Sequence, residues 1–423
     1  MVEVRSPGLP KVAIFGIKSA DELPSADQLR SHEAPAFEAD SFYLSLHEND
    51  ADLDRVLREL DPECIVTIGN EADFTNLMNA PFYIRRKWIH KNNASDLRGI
   101  EIMHCFLGST VPGYRQGREL PKVSIYTPVY NTGKQRLLRT WQSVKRQSHR
   151  DWEWVIVDDH STKRGTLDAL EEIGEDYRVT IHRLPRPSGT IGKLKGFLCS
   201  VATGDIFLEL DHDDVLTPNA VAWVVDAFAQ HPECGFAYTN WAEQHEGKST
   251  FNDYGTDYGR GYGRAHWESH NQNYESFETV DTQYFVQDSP RMNAKTIRHI
   301  VGVPNHIRAW TRTAYRDAGG YSGLHVADDY ELIVRTFLTT RFVHIPRLGY
   351  VQFFNKDSIG NTHDVRRKEI QRIVRFVSGY YEARIHDRLL ELGVDDFIWT
   401  PTGLDYNKEN PEVESHCSIV IAN

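Results

Sequence analysis

The chain has 423 residues, of which 40% are hydrophobic, and carries 60 Asp and Glu against 48 Lys and Arg for a formal charge of −12. That length exceeds what one hydrophobic core organises, so two or three domains are expected, and the acidic balance argues against a broad basic face gripping nucleic acid. Five scattered cysteines (Cys64, Cys105, Cys199, Cys234, Cys417) without a Cys-x-x-Cys pair speak against structural zinc and fit reduced thiols. The first ten residues lack a signal-type apolar core, and no run is long enough to span a bilayer. These features predict a cytoplasmic protein, at most peripheral to a membrane.

In chain order, Val12 to Phe15 and Cys64 to Ile68 read as buried strands with an amphipathic helix over 52–60 between them, giving a small α/β domain over residues 1–118. From Val123 onward, strands and helices alternate as in an α/β domain with a mostly parallel sheet. Strands are predicted at 123–127, stopped by Pro128, then at 154–157, 179–181, 206–210 and 235–238. Helices are predicted over 135–146, 167–173, 191–202 and 218–230, the last with Thr217 as N-cap and Pro218 as first helical residue. The Gly- and aromatic-rich stretch 252–273 has no steady period and reads as a long loop, with His266 and His270 as loop histidines. Its Gly259-x-Gly261-x-Gly263 lacks the strand and helix a phosphate-cradling turn needs. Leu332, Ile333 and Phe337 mark a helix, and 366–392 reads as one or two amphipathic helices whose charged face is solvated. A helical extension over 356–410 follows, then a tail over 411–423. Cys417 to Asn423 echoes the strand at 123 and reads as either an apolar tail or the start of a truncated second copy of the α/β domain.

The chemistry concentrates at Asp211-His212-Asp213-Asp214, directly after the apolar run Ile206 to Leu210. Three carboxylates crowded at a strand end repel, so either a proton or a divalent cation must sit among them. Hard oxygen ligands in an Asp-x-Asp arrangement suit Mg²⁺ or Mn²⁺, which complete their shells with water and substrate phosphates. The alternative is an acidic turn that caps the next helix. Asp158-Asp159 also stands at a strand end, where open α/β sheets bind ligands.

Together Val123 to Asn131, Val155 to Ser161, Asp211 to Asp214 and Ala327 to Leu332 resemble, in order and spacing, the motifs of family 2 glycosyltransferases of the GT-A fold, over about residues 120–355. The resemblance implies a GT-A, Rossmann-like, mostly parallel sheet with flanking helices over 119–355. It also implies inverting, Mn²⁺- or Mg²⁺-dependent transfer from a nucleotide-diphosphate sugar, usually a UDP sugar, to a glycan or other hydroxyl acceptor. By that resemblance Asp213 holds the metal, with Asp211 on the ion or the ribose and Asp214 as a support. Asp159 accepts from the base, and Thr127, Pro128 and Tyr130 line its pocket. Lys193 and Lys195 lie near the diphosphate, and His363 approaches the metal. Asp329 is the general base, with Asp328 its competitor, because a hydroxyl needs a positioned carboxylate to take its proton at neutral pH. A sugar nucleotidyltransferase is the alternative enzyme class, although the basic Gly-rich loop it uses is missing after the first strand. A glycan-binding module without catalysis is the alternative outside enzymes.

Overall fold

The computed structural model describes residues 11–19, 22–23, 43–51, 53–60, 62, 64–78, 80, 87–97, 101–102, 105, 121–245, 248–250, 265–354, 362–396, 398 and 417–418. The chain divides into two compact units, one built chiefly on Met1–Leu120 and the other on Pro121–Gln147 with Trp152–Ile421. No helix among the described residues is long and apolar enough to cross a membrane.

The first unit is a four-stranded parallel sheet. Its strands are β1 (Lys11–Phe15), β2 (Tyr43–His47), β3 (Cys64–Ile68) and β4 (Trp88–Lys91), in the order β2-β1-β3-β4, with α1 (Leu53–Glu59) and α2 (Thr75–Met78) in the connections. Every residue of β3 is buried, as expected of a central parallel strand covered on both faces. The strands expected at β1 and β3 are present. β2 and β4 gave no comparable apolar run, since β4 is half-buried throughout.

The second unit opens with parallel β5 (Val123–Val129), β6 (Trp152–Asp158) and β7 (Val179–Arg183), joined by α3 (Lys134–Lys145) and α4 (Arg164–Ile173). Next, α5 (Ile191–Val201) leads to β8 (Ile206–Glu209), which returns to the other side of β5. That return puts the carboxyl ends of β8, β5 and β6 side by side. After β9 (Val215–Leu216) and α6 (Ala220–Gln230), the chain adds β10 (Cys234–His245), β11 (Lys248–Thr250), β12 (Ala265–His270), β13 (Thr282–Gln287) and β14 (Arg308–Thr311). The sheet order is β12-β13-β10-β14-β8-β5-β6-β7. Short α7 (Arg312–Asp317), α8 (Asp328–Thr339), the 14-residue β15 (Arg341–Phe354) beside β10, and α9 (Thr362–Glu391) complete it.

Several expectations are corrected. β5 continues through Pro128 to Val129, because β8 pairs with it only as far as Tyr126 and no partner there requires the missing N–H. The helix after the acidic turn starts at Ala220; Thr217 instead donates its hydroxyl to the Leu348 carbonyl at 2.8 Å. Residues 265–270 form an edge strand rather than a loop, and His266 and His270 share its face with Glu268, which accepts from both at 2.7 and 3.0 Å. The Gly259 to Gly263 stretch lies outside the described residues. Cys417–Ser418 pairs with Val343–His344 of β15, while 419–423 also lie outside the described residues.

α9 is two helices run together across a kink at Arg366. Its Ile370, Val374, Val377, Ile385 and Leu389 join Tyr330, Ile333 and Phe337 of α8 in the main core. The outer face is less polar than expected, with Phe376 and Tyr380 exposed. Gly192, in the first turn of α5, donates its N–H to Leu324 at 3.0 Å, and a Cβ there would sit 2.2 Å from the Ser322 carbonyl, so the 319–327 loop can lie this close only over glycine.

The amino-terminal edge of the sheet is tied by Glu153, which accepts from Lys122 Nζ (2.8 Å), Ser124 Oγ (2.6 Å), and Thr203 N–H and Oγ1 (2.6 and 2.7 Å). Burial alone would raise this carboxyl, but those donors outweigh it and hold it down at about 2. A depressed acid stabilises the fold above its unfolded pKa and loses that contribution as pH falls through its folded one. Glu153→Gln is therefore expected to cost on the order of 2 kcal/mol at pH 7. In denaturant titrations the difference from the parent should shrink as pH falls from about 4.5 towards about 2.

Candidate active site

The acidic turn leaves the carboxyl end of β8 and enters β9, which pairs with Tyr350 and Val351 of β15. Its last acid is structural. Buried Asp214 accepts from the Tyr350 hydroxyl (2.8 Å) and the Phe353 N–H (2.7 Å), while Tyr350 accepts from the Asp211 N–H (3.2 Å). The opposite side of the turn is pinned by α3. Arg139 donates to the Asp213 carbonyl (2.7 Å) with its guanidinium 3.5 Å over the Phe353 ring, and Thr140 donates to the His212 carbonyl (3.1 Å). With those carbonyls turned inward, the side chains of Asp211, His212 and Asp213 stay partly exposed.

Burial raises the carboxyls of Asp211 and Asp214; Lys195 offsets it at Asp211, and the charges of Asp213 and Asp211 add to it at Asp214. Among the described residues no three His, Cys, Asp or Glu side chains converge as a metal cage. Two partly exposed carboxylates, Asp211 and Asp213, fit a hard divalent ion that takes its other ligands from water and phosphate. The backbone of His363 begins α9; its side chain lies outside the described ones.

Beneath the turn, buried Glu209 joins four elements. It accepts from Lys195 Nζ of α5 at 2.7 Å, from Arg308 of β14 at 3.2 and 3.3 Å, and from the Tyr321 hydroxyl at 2.8 Å. Lys195 also meets Asp328 Oδ2 at 3.1 Å, and Arg308 meets Asp329 Oδ2 at 2.9 Å. Burial would raise Glu209, but Arg308 and Lys195 overcome that and hold it at about 2. Asp328 behaves oppositely: burial lifts it to about 6, only partly countered by Lys195. The two adjacent acids thus differ in access. The Asp328 side chain is 6% exposed and that of Asp329 is 25% exposed. Both follow Ala327, held at φ 55° in the left-handed region, a non-glycine strain of about 1–3 kcal/mol.

Of the residues singled out in the sequence, Asp211, Lys195, Asp328 and Asp329 come together around Glu209 and Arg308. Lys195 does not stand free beside a diphosphate: it is the buried cation between two acids. Lys193 is exposed on the first turn of α5. Thr127 does not line an open pocket, because its side chain is fully buried, donating to the Leu210 carbonyl (2.7 Å) and accepting from the Trp154 indole (2.9 Å). Pro128 is also buried, and Tyr130, at the tip of β5, is exposed. At the end of β6, buried Asp158 accepts from the Ser161 N–H (2.9 Å). Asp159 takes the Ser188 N–H (2.6 Å) and hydroxyl (3.3 Å), which fastens the loop before α5 and leaves lone pairs for another donor.

Sequence reasoning missed Glu209, Arg308, Tyr321 and Tyr350. Glu209 had a signal, since an acid inside a buried apolar strand needs a cationic partner. The others come from elements distant in sequence.

The architecture is an α/β fold with carboxylates along the carboxyl edge of its parallel strands. Residues 124–292 match the family described as Glycosyl transferase family 2. It is 33% identical over 122 residues to the O-antigen biosynthesis protein RfbC of Myxococcus xanthus, covering 28% of this chain and 9% of that protein. It is 23% identical over 288 residues to chondroitin synthase of Escherichia coli, covering 67% and 35%. It thus spans well under two thirds of either relative. The mannosyltransferase PcManGT of Pyrobaculum calidifontis, solved with GDP-Man and Mn²⁺, aligns at 16% identity over 68% of this chain and 74% of its own, with a TM-score of 0.43.

Removing Lys195 leaves buried Asp328 without its cation and Glu209 with Arg308 alone. Lys195→Met is expected to destabilise the protein by about 3–5 kcal/mol. Chemical denaturation followed by tryptophan fluorescence measures it; a change below about 1 kcal/mol would place the charge balance elsewhere.

Proposed function

We propose that the protein is an inverting glycosyltransferase that moves a sugar from a nucleotide-diphosphate sugar, most readily a UDP sugar, to a hydroxyl of a glycan. The observation that carries this reading is the Glu209 hub. Through Arg308 and Lys195 it fixes Asp329 and Asp328, at the start of α8, against the strand that delivers Asp211 and Asp213. The family 2 match and the names of the relatives, O-antigen biosynthesis protein and chondroitin synthase, support the substrate class.

Asp329 is the base in this reading because its carboxylate reaches solvent while that of Asp328 is covered and tied to Lys195. It takes the proton of the acceptor hydroxyl as that oxygen bonds to the anomeric carbon and the bond to the diphosphate breaks on the opposite face. Arg308 orients the carboxylate at 2.9 Å. Asp211 and Asp213 would hold Mn²⁺ or Mg²⁺, which when bound supplies Lewis-acid stabilisation of the leaving diphosphate. Exposed Lys193 adds positive charge near that anion. Asp159 and Tyr130, at the ends of β6 and β5, serve the base.

Asp213→Ala is expected to abolish manganese-dependent UDP binding in calorimetry; parent-like affinity with manganese present would remove the metal assignment. Asp329→Asn should keep donor binding and lose transfer by about 10²- to 10⁴-fold. Parent-rate transfer by that variant would shift the base to Asp328.

A further inference from the structure

A cavity of about 500 Å³ lies between the 322–325 loop, α8 and α9, lined by Leu324, His325, Glu331, Ile373, Phe376 and Tyr380 among others. Its size and mainly apolar lining with a few polar groups are those of a small-molecule site. At its α9 rim, Phe376 and Tyr380 are 71% and 72% exposed, one turn apart, with ring centroids 6.2 Å apart at an interplanar angle of 23°. Tyr381 meets Tyr380 edge-on at 4.9 Å. The outward face of a helix that already buries its other side is ordinarily polar, so a near-parallel aromatic pair beside a cavity calls for a ligand.

The polar groups define its chemistry. His325 and Glu369 bond to each other at 2.6 Å, Glu331 is held by Arg335, and Arg372 is exposed. Positive and negative groups alternate, so the cavity lacks the concentrated positive charge a phosphate or polyanion requires. The His325, Glu331, Glu369 and Arg372 groups among its apolar lining are equally unlike a lipid-tail groove. A pyranose has an apolar C–H face that packs on an aromatic ring and an edge of hydroxyls that meets carboxylate, imidazole and guanidinium groups.

The position ties the cavity to the candidate site. Ser322, Leu324 and His325 line it, while Tyr321 of the same loop donates to Glu209; Glu331 follows Asp329 by two residues on α8. We infer that this cavity is a second glycan subsite, which holds a sugar unit of the acceptor chain away from the point of transfer. The acceptor role rests on the glycosyl-transfer reading; the binding of sugar does not.

The test uses the full chain in saturation-transfer NMR and calorimetry with hexasaccharides of unsulfated chondroitin, hyaluronan, chitin, cellulose and maltose. At least one should bind, and Phe376→Ala/Tyr380→Ala should weaken it by about tenfold or more. Tyr380→Trp should retain binding. Because both side chains are mostly exposed, the melting temperature and manganese-dependent donor hydrolysis of the double variant should match the parent. The inference is overturned if no hexasaccharide binds, or if the double variant binds as the parent does. It is also overturned if the double substitution instead dissolves a dimer in light scattering or releases the protein from phosphatidylglycerol vesicles. Failure of the transferase reading appears separately, as a parent protein that binds glycan yet hydrolyses no nucleotide sugar.

Discussion

A buried carboxylate is the constraint on which the rest of this site depends. Moving Glu209 out of water costs several kcal/mol unless its charge is matched and its lone pairs are filled. Here α5 supplies an ammonium, β14 a guanidinium and the loop before α8 a phenol, with Tyr126 donating to that phenol at 2.8 Å. Each partner belongs to an element that could otherwise slide over β8. Satisfying one charge therefore sets the positions of three elements together, and Asp328 and Asp329 follow because they share the same two cations.

The acidic turn divides its labour by burial. Asp214 is consumed by Tyr350 and the Phe353 amide, while Asp211 and Asp213 are only half-buried. The difference arises from the backbone, since Arg139 and Thr140 draw the carbonyls of residues 213 and 212 towards α3. A short flexible turn is thereby held on both sides. Three acids in four residues then present two outward groups rather than a disordered cluster of charge, which is the preorganisation an electrostatic site needs.

Much of the parallel half was legible in the sequence because its signals are local. The β5, β6 and β8 runs are apolar on both faces, and α3, α4 and α5 keep helical spacing between them. The antiparallel half was less so. β12 alternates His266, Glu268 and His270 with exposed Trp267 at an edge, so it has no buried apolar face to announce it. β15 breaks its pattern at Pro346 and Gly349 and pairs in a register shifted three times against β10. In the site, acids at strand ends could be read as a group, but the cations that choose among them could not. Lys195, expected near a diphosphate, is enclosed by Glu209 and Asp328. Thr127, placed by its neighbours in a motif, is turned into the core by the two-residue period of β5, which buries it against Leu210 and Trp154.

The hydrogen bond from the Phe353 amide to Asp214 fastens the acidic turn to the last residues of β15, one position before that strand ends. Displacing Phe353 would leave a buried Asp214 oxygen without that donor. Two segments some 140 residues apart in sequence are in this way held as one piece at the mouth of the sheet.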